Sequence, residues 1–284
     1  MYFGAHVKKA TTLLDTIKSV QAANGNALQL FVSNPMSAAL PNMQAYEQIS
    51  KEVREYCTQN DFKLVIHASY TINLAKEPKQ NKRALDLKDC YWINSLIHEL
   101  MVSDMIGAIG VVVHVGKHTT NTKQEGIQNM LNAIKFIINE LKTLHVKSKL
   151  IIETPAGQGT ELLVNIDEFL DFYNSFTTDD KKHLGICIDT AHVWSAGYDI
   201  NEYYEVVSKD NAKDIVAIHY NNSKKHKGSC VDTHEFLMDG KIPVDDLHKF
   251  IVNLKHDPVV ILEKPSDNLL KEIHWMKSVI FLHD

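Results

Sequence analysis

The segment LGICIDTAH, residues 184–192, joins a short apolar run to an acidic residue and then to the start of a helix-like stretch. Similar apolar runs, each about five or six residues long, recur through the chain. Near-continuous apolar runs are typical of parallel strands that are buried on both faces of a sheet. Eight strands are predicted in this way, at residues 2–6, 27–31, 62–67, 110–114, 149–153, 184–189, 215–219 and 259–263.

Longer amphipathic stretches separate the apolar runs and predict helices, including those at residues 43–60, 86–108, 122–144 and 166–176. Successive predicted strands begin 25 to 48 residues apart, which leaves room for a crossover helix each time. Eight such units predict an α/β fold of the (β/α)8 TIM-barrel type. The alternative is an open doubly wound sheet, which usually has about five or six strands and often a glycine-rich phosphate loop. Neither GxGxxG nor GxxxxGKS/T occurs here.

Composition indicates one folded domain over residues 1–284. The chain has 44% hydrophobic and 23% charged residues, without low-complexity segments or Pro-rich linkers. No apolar run approaches the roughly 18 to 20 residues of a membrane span, so no membrane partner is expected. The first residues lack the basic and long apolar parts of a secretory signal, and the four cysteines form no CxxC pair. We therefore expect a soluble intracellular protein in a reducing compartment, without a thiolate metal site.

The charge balance alone argues mildly against a nucleic-acid partner. Formal net charge is −5, from 30 Lys and Arg against 35 Asp and Glu. Only two of the basic residues are arginines, Arg54 and Arg83. A protein that reads base edges through guanidinium groups would usually carry more of them.

Polar residues that can bind metal or carry protons follow the predicted strands. Seven of the eight runs end in His, Asp or Glu, although these residue types make up less than a fifth of the chain. Only Phe31 breaks the series. The carboxyl ends of barrel strands meet at one mouth, where barrel active sites lie. The residues at these strand ends are His6, His67, His114, Glu153, Asp189, His219 and Glu263.

Loops add further candidates beside the same mouth. Asp189 and His192 are three residues apart at a predicted strand-to-helix turn, and Asp232 and His234 flank one threonine. Carboxylates and imidazoles crowded onto one rim would be costly to bury unless cations held them. Nine candidate ligands suit about three ions, and the mixed N and O donors fit Zn²⁺ best, with Mn²⁺, Fe or Co²⁺ as alternatives. The candidates are His67, His114, Glu153, Asp189, His192, His219, Asp232, His234 and Glu263.

In these motifs the chain resembles the endonuclease IV family of apurinic/apyrimidinic (AP) endonucleases. The resemblance extends from GAHV at residues 4–7 to the last predicted strand. A single short motif of this kind would be weak, but all nine ligand positions occur in order. The matching segments are VIHASY (65–70), VHVG (113–116), IETP (152–155), IDTAH (188–192), HYNNSK (219–224), GSCVDTH (228–234) and LEKP (262–265).

The resemblance implies a xylose-isomerase-like TIM barrel with three Zn²⁺ ions. The first ion would lie on His67, His114 and Glu153. The second would take Glu153 as a bridge, with Asp189, His219 and Glu263. The third would take His192, Asp232 and His234. Glu153 and Glu263 would be the catalytic residues, because they hold and orient the nucleophile. Three such ions would add six positive charges at the mouth, which removes the objection raised by net charge.

The resemblance also implies a substrate and a reaction. The partner would be double-stranded DNA with abasic sites, contacted by His6, Tyr70, Asn221 and Lys224. The enzyme would hydrolyse the phosphodiester 5′ to the abasic site and leave a 3′-hydroxyl and a 5′-deoxyribose phosphate, and trimming of blocked 3′ ends is a second activity to expect. It would act as a monomer, in the cytoplasm, nucleus or a virion.

One loop departs from the family pattern. The family commonly carries Arg-Gln after the second strand, on a loop that penetrates DNA, whereas this chain has NPMS at residues 34–37. We therefore expect fewer charged contacts to DNA from this loop, which could change the damage preference.

Two other functions are compatible with parts of the pattern. A sugar isomerase or epimerase on a related barrel needs one metal set, which Glu153, Asp189, His219 and Glu263 could supply. It does not need the further set made by His192, Asp232 and His234. A lesion-binding protein that has lost catalysis is the non-enzymatic alternative, and the intact ligand series argues against it.

Overall fold

The computed structural model of the protein describes residues 1–37, 39–81, 83–264 and 269–281. Eight parallel strands follow one another around a closed barrel, and the last strand pairs with the first through Tyr2 and Val259. This arrangement confirms the predicted TIM barrel. The barrel strands are β1 (Tyr2–His6), β2 (Ala27–Leu30), β3 (Lys63–His67), β4 (Gly110–His114), β5 (Lys149–Glu153), β6 (Leu184–Asp189), β7 (Ile215–His219) and β8 (Val259–Leu262).

Helices connect the strands on the outside of the barrel. Among the described residues, no helix is both long and apolar enough to cross a membrane. Two short hairpins lie in the loops. One pairs Lys79–Gln80 with Arg83–Ala84, and the other pairs Asn222–Ser223 with His234–Glu235. The helices are α1 (Leu13–Ala22), α2 (Met43–Gln59), α3 (Tyr91–Ile106), α4 (Lys123–Thr143), α5 (Ile166–Asn174), α6 (Thr190–Ser195), α7 (Ile200–Asn211), α8 (Val244–Val252) and α9 (Leu269–Phe281), with 3-10 turns at Leu87–Asp89 and Asp180–His183.

The structure corrects some predicted boundaries. The second and last strands each end one residue earlier than predicted, so Phe31 and Glu263 lie just beyond β2 and β8. The helix predicted over residues 86–108 is divided, because Cys90 has the extended backbone angles φ −78° and ψ 115°. A 3-10 turn precedes this residue and α3 follows it. The helix then ends at Gly107, whose φ of 74° is in the left-handed region that favours glycine.

The barrel has an inner and an outer core. Alternate residues of each strand face opposite sides, so one set fills the barrel and the other packs beneath the helices. Val112 faces inward, for example, whereas its neighbours Val111 and Val113 belong to the outer core. The inward layer consists of Ala27, Val65, Val112, Ile151, Cys187, Ala217, Val259 and Ile261.

Candidate metal centre

The polar residues at the mouth of the barrel continue the inward-facing side of the strands. Side chains two residues apart in a strand share a face, so the residue two positions after an inward apolar residue also faces inward. Val65 is thus followed by His67, Val112 by His114 and Cys187 by Asp189. The same offset leads from Ala27, Ile151, Ala217 and Ile261 to Gln29, Glu153, His219 and Glu263.

The first group of possible metal ligands comprises His67, His114 and Glu153. The Nε2 atoms of His67 and His114 lie 3.7 Å and 3.5 Å from Glu153 Oε2. His67 Nδ1 lies 2.8 Å from the carbonyl oxygen of Ala68, which leaves Nε2 directed at the group. These are the residues that the resemblance assigns to one ion.

The second group comprises Glu153, Asp189, His219 and Glu263, with one possible ligand atom from each residue lying within 4.8 Å of the others. His219 Nδ1 is 2.7 Å from Glu153 Oε1, 3.2 Å from Glu263 Oε2 and 3.8 Å from Asp189 Oδ2. Glu153 belongs to the first and second groups, as a bridging ligand would.

The third group lies beside α6 and the second strand of a hairpin, His234–Glu235. His192 Nε2 and His234 Nε2 are 3.2 Å and 3.4 Å from Asp232 Oδ1. Asp189 joins them, because its Oδ2 lies 3.5 Å from His234 Nε2. Asp189 also caps α6, since its Oδ1 accepts a hydrogen bond from the backbone N–H of His192 at 2.9 Å. The structure thus brings all nine predicted ligands together and adds Asp189 to the third set.

Three buried atoms in these groups lack a hydrogen-bond partner among the described residues. They are Glu153 Oε2, His192 Nε2 and His234 Nε2. A buried polar atom without a partner costs about 1–3 kcal/mol, and more when the group is charged. Each of these atoms faces the ligand groups, so bound divalent cations would satisfy them. The side chains therefore fit a polynuclear metal site.

The pKa values of the candidate ligands are shifted because carboxylates and imidazoles lie close together at the mouth. Burial alone would raise the pKa of Glu153, but the imidazoles of His114 and His219 outweigh it and hold that pKa well below its usual value. Burial would lower the pKa of His192, yet the carboxylates of Asp189 and Asp232 raise this pKa well above its usual value. The carboxylates and imidazoles thus stabilise one another's charged forms, and binding of metal would release the protons that such imidazoles hold.

Two buried amides support the proposed ligands, and the motif analysis identified neither in this role. Asn221 is buried, and its Nδ2 donates to Asp189 Oδ2 at 2.9 Å and to Glu263 Oε2 at 3.1 Å. Gln29 contacts His219, Glu263 and His6. A polar residue inside the apolar run of residues 27–31, two positions after the inward-facing Ala27, is the sequence signal that would have identified Gln29.

A cavity of about 890 Å³ opens above the groups and extends to the loop after β2. Its wall includes His6, Phe31 and Tyr70, and the Tyr70 side chain is 56% exposed. The backbone N–H of Tyr70 donates to the carbonyl of Pro35 at 3.0 Å, which links the loops after β2 and β3. Lys224 is exposed beyond the end of β7. Pro265, part of the last family motif, lies outside the described residues.

Comparison with known proteins identifies both the fold class and the family of this chain. A family model described as a xylose isomerase-like TIM barrel matches residues 17–279, so the chain is a protein of that class. The chain is also 31% identical to the probable endonuclease 4 of Halothermothrix orenii, over 94% of each sequence. The chain belongs to the endonuclease IV family.

Solved structures show how widely the fold is shared. Endonuclease IV from Thermus thermophilus superposes with a TM-score of 0.74 at 24% identity, covering 99% of this chain and 98% of that one. A D-tagatose 3-epimerase-like protein gives the same TM-score at 17% identity and the same coverage. Because the barrel is common to both, the fold does not distinguish a nuclease from an epimerase, and the site must do so.

Proposed function

We propose that the protein is a DNA-repair endonuclease that hydrolyses the phosphodiester bond 5′ to an abasic site, leaving a 3′-hydroxyl and a 5′-deoxyribose phosphate. The observation that carries the proposal is the third ligand group, His192, Asp232 and His234. It lies next to the second group, which consists of three carboxylates and one imidazole. The family relationship supports it. We also propose that the enzyme removes blocked 3′ ends, since these present the same phosphodiester chemistry at the same mouth.

Three Zn²⁺ ions are the proposed cofactors, with Mn²⁺ or another divalent ion as the alternative. His67, His114 and Glu153 would hold the first. Glu153, Asp189, His219 and Glu263 would hold the second, and His192, Asp232 and His234 the third, with Asp189 beside it. When bound, such ions polarise phosphate oxygens and lower the pKa of water to near neutrality.

The chain's own carboxylates orient the reaction. Glu263 lines the cavity, and its Oε1 accepts from Gln29 while its Oε2 accepts from Asn221. The carboxylate is thus held in one orientation, from which it would accept a further hydrogen bond from the attacking water. Glu153 is fully enclosed by His67, His114 and His219, which makes it the rigid centre of the site. We assign both as catalytic residues. Asn221 is better explained as the residue that positions Asp189 and Glu263 than as a DNA contact, because its amide is buried and already bonded to both.

The cavity and its rim fit a displaced abasic nucleotide. Extrusion from the duplex costs least where no base is paired, and an enclosed pocket then selects against an intact nucleotide. Tyr70 stands exposed on the wall, where it can fill the gap in the duplex, with His6 deeper in the same cavity. Lys224, which is exposed beyond the end of β7, would contact a phosphate. Lys117 Nζ lies 3.4 Å from Glu161 Oε1, and Lys123 Nζ lies 2.6 Å from Glu168 Oε1. Both ammonium groups are therefore already paired with carboxylates and are less available to a phosphate.

The sugar isomerase or epimerase remains the second candidate, because the fold and the second ligand group would suffice for it. The third ligand group has no role in that reaction and favours the nuclease. A lesion-binding protein without catalysis would not need complete ligand sets. We further propose that residues 1–284 form one catalytic domain that acts on DNA as an intracellular monomer.

Metal analysis and a cleavage assay test the proposal together. We expect about three zinc ions per chain, and incision of a duplex that carries one synthetic abasic analogue, with a 3′ end that a polymerase can extend. One ion per chain without incision, together with turnover of a ketose, would instead identify an isomerase or epimerase.

Replacement of Glu263 separates catalysis from binding. Glu263→Gln keeps the shape of the side chain but removes the negative charge that orients the nucleophile, so incision at saturating DNA should fall at least 10–100-fold. Glu202→Gln, an exposed exchange on α7, is the matched control. Activity of Glu263→Gln within about threefold of the control would remove Glu263 from the catalytic site.

A further inference from the structure

Gln29 lies at the base of the second ligand group, and its side-chain amide can point in only one direction. The side chain is fully buried. Its Nε2 lies 2.8 Å from Glu263 Oε1 and 3.1 Å from His6 Nδ1, and its Oε1 lies 2.8 Å from His219 Nε2. An ionised carboxylate only accepts hydrogen bonds, so the NH₂ group must face Glu263. The carbonyl oxygen therefore faces His219.

This orientation determines which nitrogen of His219 carries a proton. An amide oxygen only accepts hydrogen bonds, so His219 Nε2 must donate to it. In a neutral imidazole the lone pair then resides on Nδ1, the atom that lies 2.7 Å, 3.2 Å and 3.8 Å from the oxygens of Glu153, Glu263 and Asp189. A lone pair directed at three carboxylates is unfavourable unless a proton or a metal ion lies between the nitrogen and the carboxylate oxygens. The tautomer that Gln29 imposes is thus the one that can bind a metal ion.

The other buried imidazoles obtain the same constraint from the backbone. His67 Nδ1 is 2.8 Å from the carbonyl of Ala68, and His192 Nδ1 is 2.9 Å from the carbonyl of Thr154. In both, the second nitrogen faces the ligand groups. A ligand imidazole whose far nitrogen donates to an oxygen is held in one tautomer and one ring orientation. For His219 this oxygen comes from a side chain, so a substitution can remove it.

We propose that Gln29 is a positioning residue of the second metal group: it fixes the tautomer of His219 through its carbonyl and the orientation of Glu263 through its amide. The assignment rests on the proposed function only in requiring that this group binds a metal ion. Gln29 is not itself a candidate ligand and would act through the two that it contacts. These two follow the last two strands of the barrel, β7 and β8, and Gln29 connects them to β2.

The test compares Gln29→Met with wild type, using Zn²⁺ alone as the probe. Methionine matches glutamine in length but offers no comparable donor or acceptor. Chelator competition should show that one of the bound Zn²⁺ ions is held about 10–100-fold more weakly, while the others are retained. Gln21→Met on α1 is the matched control, because the Gln21 side chain accepts a hydrogen bond from Tyr56 and α1 ends just before β2 begins, at the end of the barrel opposite the mouth.

Nitrogen-15 NMR of the zinc-loaded protein supplies a readout that a loss of packing would not reproduce. In wild type, His219 should show a protonated Nε2 and an unprotonated Nδ1. Gln29→Met should broaden or shift this pattern. Gln29→Glu, which keeps an acceptor for His219 but loses the donor to Glu263, should restore the wild-type pattern of His219.

The outcomes separate this inference from the proposed function. If wild type binds zinc and cleaves abasic DNA while Gln29→Met keeps every zinc affinity within threefold and the His219 pattern unchanged, the assignment is wrong and the proposed function stands. If wild type binds neither Zn²⁺ nor Mn²⁺ and does not cleave abasic DNA, both are wrong. Weaker zinc binding with an unchanged melting temperature of the metal-free protein and an altered His219 pattern supports the assignment.

Discussion

Glu99 is a buried carboxyl group that lies beneath the loops after β2 and β3. It is fully buried in α3, where its Oε1 accepts from Ser33 Oγ at 2.8 Å and lies 3.4 Å from the backbone nitrogen of Ser69. Its Oε2 has no hydrogen-bond partner among the described residues. Burial raises the pKa of Glu99 to about 7, despite the hydrogen bonds from Ser33 and Ser69 that lower it. The side chain therefore joins the loops after β2 and β3 from below.

This pKa predicts a pH-dependent stability. The folded protein holds the Glu99 proton more tightly than the unfolded chain, where the pKa is near 4.5, so the stabilisation is complete at low pH and is lost as pH rises to about 7. Glu99→Gln avoids the cost of burying the charge. Its free energy of unfolding should exceed that of wild type by about 1–3 kcal/mol at pH 8, with the difference shrinking toward pH 5.

Urea unfolding of the metal-free proteins at several pH values measures this difference. Glu52→Gln, an exposed exchange on α2, serves as the control and should show no such trend. A difference between Glu99→Gln and wild type that stays constant from pH 5 to pH 8 would contradict the assignment of the raised pKa to Glu99.

At the scale of elements, the loop after β2 departs from the family pattern, and it contacts the loop after β3 at the mouth. Met36 is 75% exposed on the first loop, and Tyr70 is exposed on the second. Asn34 Oδ1 accepts from the backbone N–H of Met36 at 3.0 Å, and Pro35 accepts from that of Tyr70, so the loops have a defined shape without an arginine. Exposed apolar side chains beside a cavity are suited to insertion between base pairs.

Tyr70→Ala should weaken binding to abasic duplex by about tenfold or more, because stacking of one aromatic ring contributes roughly 1–3 kcal/mol. Zinc content and turnover at saturating DNA should change little. Fluorescence titration with abasic duplex gives the affinity. Leu144→Ala, an exposed apolar truncation at the end of α4 and away from the mouth, is the control. A parallel loss of thermal stability in Tyr70→Ala would show that Tyr70 serves packing instead.

Met36→Arg tests the charge that this loop lacks. We expect tighter binding to abasic duplex and a salt dependence steeper by about one phosphate contact, because each neutralised phosphate releases counterions. Titrations at three salt concentrations give the slope, with Leu144→Arg as the charge control. Equal slopes in the two variants would place Met36 outside the DNA interface.

At the scale of the molecule, the mouth concentrates four carboxylates and five imidazoles in a protein whose formal net charge is −5. Three divalent cations would reverse the local charge and bring the total to about +1. The barrel holds these side chains rigidly, because every candidate ligand except His192, Asp232 and His234 lies at a strand end or directly after one. Removal of metal should therefore affect the stability of the whole barrel and not only its activity.

Chelation should lower the melting temperature by about 5 °C or more, since a ligand in hundredfold excess over its Kd stabilises by about 2.7 kcal/mol. Calorimetry in EDTA and after addition of Zn²⁺ measures the change, which should be reversible. Mg²⁺, a poor match for imidazole donors, should not restore it. A melting temperature that is the same with and without zinc would mean that the ligand groups bind no ion tightly.

Local patterns along the chain were enough to predict the barrel and to assign the candidate ligands to its mouth. Strand and helix periodicities depend on neighbours within a few residues, so the eight apolar runs and their polar ends, such as Val112 followed by His114, can be recognised without tertiary contacts. The nine candidate ligands followed from these ends and from two short loop motifs. The broken start of α3 at Cys90 was not predictable, because one extended residue leaves no mark in the periodicity.

Only the tertiary structure decided how the site residues contact one another. Gln29 and His219 are 190 positions apart, and they meet because the closed barrel brings β2 and β7 together around one axis. Asp189 reaches two ligand groups while capping α6, and Asn221 turns inward to hold it. Such contacts depend on barrel closure and side-chain packing, to which distant parts of the chain contribute jointly. The sequence therefore determines which residues line the mouth, whereas the folded barrel determines which of them contact one another there.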